Sequence, residues 1–230
     1  MNAVAIIAAA GAGLRMKSAA RKQYLVLEGV PVLVRSVKLF LEHPAFTEVI
    51  VVIPPGDDKV VRELVKPYFS LDRLRLVEGG ATRQESVGNG LKAISTEAEL
   101  VAVHDAARPL ATPKLLALLL DSAARWGAAI PVIQLSDTLK EVDDNGFVRA
   151  TPAREKLRLV QTPQLFKLSL LEKAYKNFQD AKGKATDDAT LVELLGEPVI
   201  TVPGEQSNIK ITSPLDLILA SFILKGAGSG

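Results

Sequence analysis

The 230-residue chain has no cysteine, which excludes disulfides, thiolate catalysis and cysteine-ligated zinc. It has no block of Lys and Arg either. Its 28 basic and 26 acidic side chains leave a formal net charge of +2 and a pI near 8.8, a mild excess without the footprint of a nucleic-acid binder. No apolar stretch reaches the length of a membrane span, and the N-terminal apolar run is too short, and lacks the basic flank, for a signal peptide. The expected location is therefore cytoplasmic, or the plastid stroma if the chain is a processed fragment, with no nucleic-acid or membrane partner. Two familiar glycine motifs are missing as well. Gly11-Ala12-Gly13-Leu14-Arg15 is followed by Met16 and by no acid about 20 residues on, so the dinucleotide fingerprint fails. Lys17-Ser18 has no glycine before it, so the Walker loop fails too.

What is present is an ordinary globular composition, 48% hydrophobic and 23% charged, in a chain long enough to bury about 70% of its unfolded surface. One domain with an insertion is the simplest account. Val4-Ala5-Ile6-Ile7 reads as a buried strand and runs into Ala8-Ala9-Ala10-Gly11-Ala12-Gly13-Leu14-Arg15-Met16. Small residues let the backbone turn sharply and approach a ligand closely, presenting N–H groups to phosphate oxygens. Arg15 and Lys22 add positive charge at either end, so an anionic ligand, best a triphosphate, suits this loop. An ordinary strand-to-helix turn would share its glycines.

Strand and helix signals then alternate. A helix follows Pro31 as far as His43-Pro44, and Glu48 to Ile53 is a strand. A helix that Asp57 can cap runs towards Pro67, Leu74 to Val77 is a third strand, and a helix spans Arg83 to Ile94. Leu100 to Val103 is a fourth strand, His104 to Pro109 its loop, Pro113 to Trp126 a helix and Ala128 to Ile133 a fifth strand. This alternation predicts an α/β fold with a mostly parallel sheet, helices on both faces and ligands beyond the strands' carboxyl ends. The rhythm breaks at Thr138-Leu139-Lys140-Glu141-Val142, a polar hairpin turning at Asn145-Gly146, which is either a solvated flap or an arm packing on another subunit. Leu157 to Val160 returns to the body. Helices at about Lys167 to Ala181 and Asp187 to Leu195 follow, then a strand at Val199 to Val202, an extended Asn208 to Ile211 and a helix from Ser213. Residues 226–230 read as a flexible tail.

His104-Asp105-Ala106-Ala107-Arg108-Pro109 sets a carboxylate and a guanidinium at a strand end. Asp105 can hold Mg²⁺, directly or through water, or accept a substrate hydroxyl, and Arg108 can grip a phosphate; a local ion pair closing the loop is the plain alternative. His104 reads as structural. Gly79-Gly80-Ala81-Thr82-Arg83-Gln84-Glu85-Ser86-Val87 offers backbone groups and the Ser86 hydroxyl to the edge of a base, or is simply a glycine turn. Thr138, Arg154, Thr162, Thr186 and Lys210 are candidates for a small phosphorylated polyol.

Taken in order, the glycine loop, Lys22-Gln23-Tyr24, Gly79 to Arg83 with Ser86-Val87, His104 to Pro109, Thr162-Pro163-Gln164, Thr186-Asp187-Asp188 and Asn208-Ile209-Lys210 resemble one family over essentially the whole chain. That family is the 2-C-methyl-D-erythritol 4-phosphate cytidylyltransferases of the non-mevalonate isoprenoid pathway. The resemblance implies a Rossmann-like three-layer sandwich of the nucleotide-diphospho-sugar transferase type. A single nucleotidyltransferase domain would span residues 1–133 and 159–225, and 134–158 would form an inserted β-arm exchanged between the subunits of a homodimer. It implies Mg²⁺-dependent reaction of CTP with the polyol phosphate, releasing pyrophosphate, with Mg²⁺ held mostly by the CTP phosphates. Arg15, Lys22, Arg154 and Lys210 would be catalytic. Ala9, Ala10, Gly11, Gly13, Arg15, Lys22, Gly80, Arg83, Ser86, Asp105 and Ala106 would bind CTP. Asp105, Arg108, Thr138, Arg154, Thr162, Thr186 and Lys210 would bind the polyol phosphate, and Asp105 is the candidate metal contact. Around Arg154 the family often has Thr-Val-Asp-Arg, where this chain has Thr151-Pro152-Ala153-Arg154, and Arg158 is an alternative holder of the phosphate. A ribitol 5-phosphate cytidylyltransferase would share loop and arm, although Ala106-Ala107 and the Ser86-Val87 with Gly90-Leu91 pattern look closer to the methylerythritol enzymes. A non-catalytic nucleotide-binding protein on the same fold is the alternative from another class.

Overall fold

The structure, a computed structural model, describes residues 1–11, 21–177 and 185–227, the side chains of Lys22 and Ala227 excepted. Strand β1 (Ala3–Ala8) leads into the glycine loop, and a tight hairpin of β2 (Val26–Leu27) and β3 (Val30–Pro31) precedes helix α1 (Val32–Leu41). Then come β4 (Phe46–Ile53), α2 (Asp58–Val65), β5 (Leu74–Glu78), α3 (Arg83–Lys92), β6 (Leu100–Asp105), α4 (Pro113–Trp126) and β7 (Ala128–Gln134). A separate hairpin carries β8 (Glu141–Val142) and β9 (Val148–Ala150). After it follow β10 (Arg158–Val160), β11 (Gln164–Lys167), α5 (Leu168–Asn177), α6 (Asp188–Glu193), β12 (Ile200–Pro203) and α7 (Pro214–Ala227).

Successive side chains of a strand leave opposite faces of a sheet, and both faces of β1 are apolar. Ala3, Ala5 and Ile7 belong to a core with α1, α2 and α4; Val4 and Ile6 belong to a second core with α3, α5 and α6. The result is the expected three-layer α/β sandwich. In its eight-stranded sheet β1 lies between β4 and β6, parallel to both, and β5 extends the β4 edge in parallel. β12 is parallel to β7, while β10 and β11 run antiparallel along the opposite side of β7. Strand order turns round at β1, so the crevice for a ligand opens at its carboxyl end, where Ala8 pairs with Asp105.

The alternation of signals indicated neither the short β2–β3 hairpin nor β11. β11 is four residues long, antiparallel between β6 and β7, and begins one residue after the cis Thr162–Pro163 peptide. A buried Gln at its first position hides the strand pattern. Gln164 satisfies its amide by donating to Asp187 Oδ2 at 2.7 Å and accepting from the Ala189 N–H at 3.2 Å. Other boundaries also need correcting. His104 and Asp105 continue β6 rather than opening its loop, because Asp105 sits in register with Ala8. Asp57 occupies the N-cap of α2 without capping it; its carboxylate accepts from the Tyr24 hydroxyl at 2.8 Å and pairs with Arg21 at 3.1 Å instead. Gln134 and Arg158 pair within the sheet, so the excursion begins at 135 and ends at 157 rather than spanning 134–158. Gly226 and Ala227 close α7, which shortens the expected tail to 228–230, outside the described residues.

The hairpin turns where Asn-Gly predicts, with Gly146 at φ +85° and the Asp143 carboxylate accepting from the Asn145 and Phe147 N–H groups. Its apolar residues are bare: Phe147 is 71% and Val148 58% exposed. Among the described residues no helix is long and apolar enough to cross a membrane.

Candidate active site

At the carboxyl end of β1 a cavity of about 310 Å³ is lined by segments 8–11, 80–83 and 105–107 with Gln23, Ser86 and Lys210. The sheet register brings the first and last of these segments together, and the turn after β5 supplies the other wall. Gly13 and Arg15 lie outside the described residues, and of Lys22 the structure describes the backbone, in a 3-10 turn over Lys22–Tyr24. Ala9 lines the cavity with its N–H taken by Val52 O at 2.8 Å. The N–H groups of Ala10 and Gly11, which line the cavity, have no partner among the described residues. Gln23, 2% exposed, fixes this loop by donating to Ala9 O at 2.6 Å and Gly11 O at 3.4 Å.

The opposite wall is built by close approach. A Cβ on Gly79 would collide with Ala10 Cβ and come within 2.8 Å of Ser86 Oγ, so this wall reaches the glycine loop because residue 79 has no side chain. Thr82 caps α3 by accepting from the Glu85 N–H at 3.0 Å, and Glu85 returns a carboxylate oxygen to the Ala81 N–H at 2.8 Å. Ser86 Oγ accepts from the Gly80 N–H at 3.1 Å and donates to Thr82 O at 2.8 Å. Its proton is committed to the turn, which leaves its oxygen and the surrounding backbone to meet a base.

Charge concentrates on Asp105, whose Oδ2 lies 2.6 Å from Lys210 Nζ and 3.9 Å from Arg108 Nε, and whose Oδ1 lies 3.6 Å from Arg83 Nε. Burial opposes ionisation of this carboxyl, yet Lys210, Arg83 and Arg108 together hold it well below the usual carboxylate range. Arg83 also pairs through Nη2 with Asp188 Oδ2 at 2.7 Å. Burial weakens the Arg83 charge and the two carboxylates more than restore it, so its affinity for its proton is raised.

His104, fully buried, explains how the strand end is held. Its Nε2 faces Arg108 O at 3.1 Å, and a carbonyl only accepts, so Nε2 carries the proton. Nδ1 then accepts from the Thr162 hydroxyl at 3.1 Å, whose oxygen in turn accepts from the Asp105 N–H at 3.0 Å. Burial lowers the imidazole to about 4, which keeps it neutral.

Of the residues expected on the polyol side, Lys210 and Asp105 line the cavity. Arg108 and Thr162 stand outside the cavity lining and make contacts within the protein. Arg108 donates to Asn208 O at 2.7 Å and reaches Val160 O at 3.5 Å, while Thr162 is spent on His104 and Asp105. Thr138, Arg154 and Thr186 are exposed and outside the cavity lining. Arg154 donates to Ser136 O at 2.9 Å at the root of the hairpin, and Arg158 donates to Glu155 O and Leu157 O at 2.8 and 2.7 Å. Gln23, Asp188 and Asn208 went unassigned, although all three stand inside the quoted motifs. Asn208 donates to Thr162 O at 2.9 Å and its own carbonyl receives Arg108, which fixes the segment that delivers Lys210.

Among the described residues no three His, Asp or Glu side chains cluster as a metal cage. The cavity offers one carboxylate, Asp105, facing cations. Magnesium is commonly bound through one or two carboxylates plus substrate phosphates, and this donor set fits an ion arriving on a polyphosphate with Asp105 as its protein contact.

A glycine loop at the switch point of a parallel sheet, a base-sized turn opposite it and a carboxylate among cations at the strand ends together define a nucleotidyltransferase site. The family model described as 2-C-methyl-D-erythritol 4-phosphate cytidylyltransferase (IspD) matches residues 3–226. Proteins of that name from Syntrophus aciditrophicus and Geobacillus kaustophilus are 44% and 41% identical, over 96% and 97% of this chain and 95% and 97% of theirs. The crystal structure of 2-C-methyl-D-erythritol 4-phosphate cytidylyltransferase from Thermus thermophilus superposes with a TM-score of 0.80 at 38% identity, covering 98% of this chain and 100% of that one. The 4-diphosphocytidyl-2C-methyl-D-erythritol synthase from Anaerococcus prevotii superposes at 0.85 with 34% identity, over 97% and 96%. The chain belongs to the 2-C-methyl-D-erythritol 4-phosphate cytidylyltransferase family.

Proposed function

We infer that the chain transfers the cytidylyl group of CTP to 2-C-methyl-D-erythritol 4-phosphate, releasing pyrophosphate, and that it does so in the cavity at the end of β1. Family membership supports the reaction. The observation that carries the site is the convergence of Lys210 and Arg83 on Asp105, next to the open amides of Ala10 and Gly11. The acceptor phosphate is already an anion near neutral pH and needs no general base. Its oxygen attacks the α-phosphorus in line with departing pyrophosphate, so the protein's work is to join two anions and to stabilise the charge that builds up.

In this reading Ala10, Gly11, Gly13, Arg15 and Lys22 hold the triphosphate, and the turn at Gly80 with Ser86 Oγ meets cytosine. Arg83, Asp105 and Ala106 complete the nucleotide side. Magnesium comes with CTP, contacts Asp105 and supplies neutralising charge on the phosphates. Lys210 faces the acceptor phosphate, while Arg108 and Thr162 keep Lys210 and Asp105 in place from behind. Thr138 and Arg154 stand on the exposed arm, and they complete the polyol side when a second copy exchanges arms. The bare Phe147 and Val148 are what such an exchange would cover. If Arg15 and Lys22 neutralise the leaving charge in a dry site, replacing either by Ala lowers turnover by about 10²- to 10³-fold. The reaction is tested by measuring Mg²⁺-dependent pyrophosphate release with each nucleoside triphosphate against methylerythritol phosphate and ribitol phosphate. Release confined to CTP with methylerythritol phosphate is expected; release confined to ribitol phosphate, or none, overturns it.

A further inference from the structure

We propose that Asp188, which lies outside the cavity, is a positioning residue for the nucleotide site. It fixes the Arg83 guanidinium for the incoming nucleotide, short of closing on Asp105. The proposal rests on the assignment of Arg83 to CTP. Asp188 is fully buried, the second acid of Thr186-Asp187-Asp188 and the first residue of α6. Its two oxygens have different partners: Oδ1 accepts from the Tyr175 hydroxyl at 2.6 Å, and Oδ2 lies 2.7 Å from Arg83 Nη2. The Arg83 contact is a buried ion pair at 2.7 Å, so charge does most of the holding. Arg83 Nε remains 3.6 Å from Asp105, too far for a hydrogen bond.

The distances give Asp188 a specific task. A guanidinium beside a lone carboxylate closes on it as a bidentate pair, and Asp105 is the nearest other carboxylate to Arg83. Asp188 takes Nη2, the donor that shares a guanidinium edge with the Nε facing Asp105, and so keeps that edge from closing on Asp105. Two further contacts brace the arrangement across the sequence. Gln84 donates to Ala185 O, and Asp187 caps α6 by accepting from the Thr190 N–H at 3.0 Å while receiving Gln164. The start of α3, which carries Arg83, is thereby tied to the start of α6.

D188N tests this, because it keeps the shape and an acceptor for Tyr175 while removing the charge that holds Arg83. The expected result is a rise in KM for CTP of about tenfold, the scale of one charge-assisted hydrogen bond, with KM for the polyol phosphate within about twofold of wild type. D188E should recover part of the loss. R83Q should raise KM for CTP by itself, and adding D188N to R83Q should change it by less than about twofold, since both changes remove one interaction. Y175F, which deletes a single hydroxyl, should shift KM for CTP in the same direction by about threefold and keeps the test open if D188N does not fold. An effect of R83Q on CTP with none from D188N and Y175F overturns the proposal while leaving the nucleotide role of Arg83 intact. An R83Q enzyme with unchanged KM for CTP overturns both. Fully additive losses in the double variant, or equal rises in both Michaelis constants, would mark Asp188 as a fold residue and also overturn the proposal.

Discussion

Replacing His104 with Gln should flatten the acid sensitivity of the fold. The imidazole is fully buried, its Nε2–H bound to Arg108 O and its Nδ1 accepting from Thr162. Burial lowers it from 6.5 to about 4. A base whose folded pKa is depressed stabilises the protein above its unfolded pKa, and that stability is lost as pH falls from about 6.5 towards about 4. A depression of about 2.5 units corresponds to roughly 3 kcal/mol, of which about 2.5 kcal/mol is gone by pH 4.5. Gln is neutral at every pH in this range, and its amide can donate to Arg108 O in place of Nε2. The assay is urea unfolding of wild type and H104Q at pH 7.5 and pH 4.5. H104Q is expected to be less stable at the higher pH and to lose about 2 to 3 kcal/mol less than wild type between the two. Equal losses within about 0.5 kcal/mol would refute the claim that a neutral His104 holds the end of β6. Asp105, also depressed, acts in the same direction but at lower pH, so the comparison separates the two.

Three further outcomes follow from the geometry. G79A places a Cβ against Ala10 and Ser86; it should cost about 1–3 kcal/mol in urea unfolding and raise KM for CTP, since the phosphate loop and the base turn must separate. K210A should lower turnover by about 10²- to 10³-fold. Lys210 is 38% exposed but faces the buried Asp105 carboxylate, which Arg83 and Arg108 still neutralise in its absence, so its loss should cost about 1–2 kcal/mol of unfolding free energy. Equal losses in turnover and stability would count against its role. Replacing both Phe147 and Val148 with Asp should yield a monomer by sedimentation velocity and lower activity, because Thr138 and Arg154 would no longer reach a partner's site. A wild-type chain that already sediments as a monomer with full activity would refute the arm exchange.

The layered α/β fold was legible because buried parallel strands are written as nearly continuous apolar runs, as in Val49 to Ile53, and each is followed by helical spacing. The glycine loop, Gly79-Gly80 and Asp105 were legible for a related reason: small residues and charges stand directly at strand ends, where chain direction puts them in one crevice. β11 was hidden because a four-residue strand opening on a buried Gln has no pattern of its own; what stabilises Gln164 is Asp187, 23 residues on. The protein contacts of Arg108 and Thr162 could not be read from sequence: Arg108 meets Asn208 O and Val160 O while its Nε makes no hydrogen bond, and Thr162 meets His104 and the Asp105 N–H. Gln23 and Asp188 went unassigned for the same reason: each acts on another protein group, Gln23 on the carbonyls of the loop and Asp188 on Arg83.

The central claim is that the chain moves a cytidylyl group rather than a phosphoryl group. The direct test is to run the reaction of CTP and methylerythritol phosphate with the radioactive phosphorus placed in turn at the α- and the γ-position of CTP. All α-label should appear in the polyol product and all γ-label in pyrophosphate, in equal amounts; γ-label on the polyol, or no label transferred from either position, would contradict it.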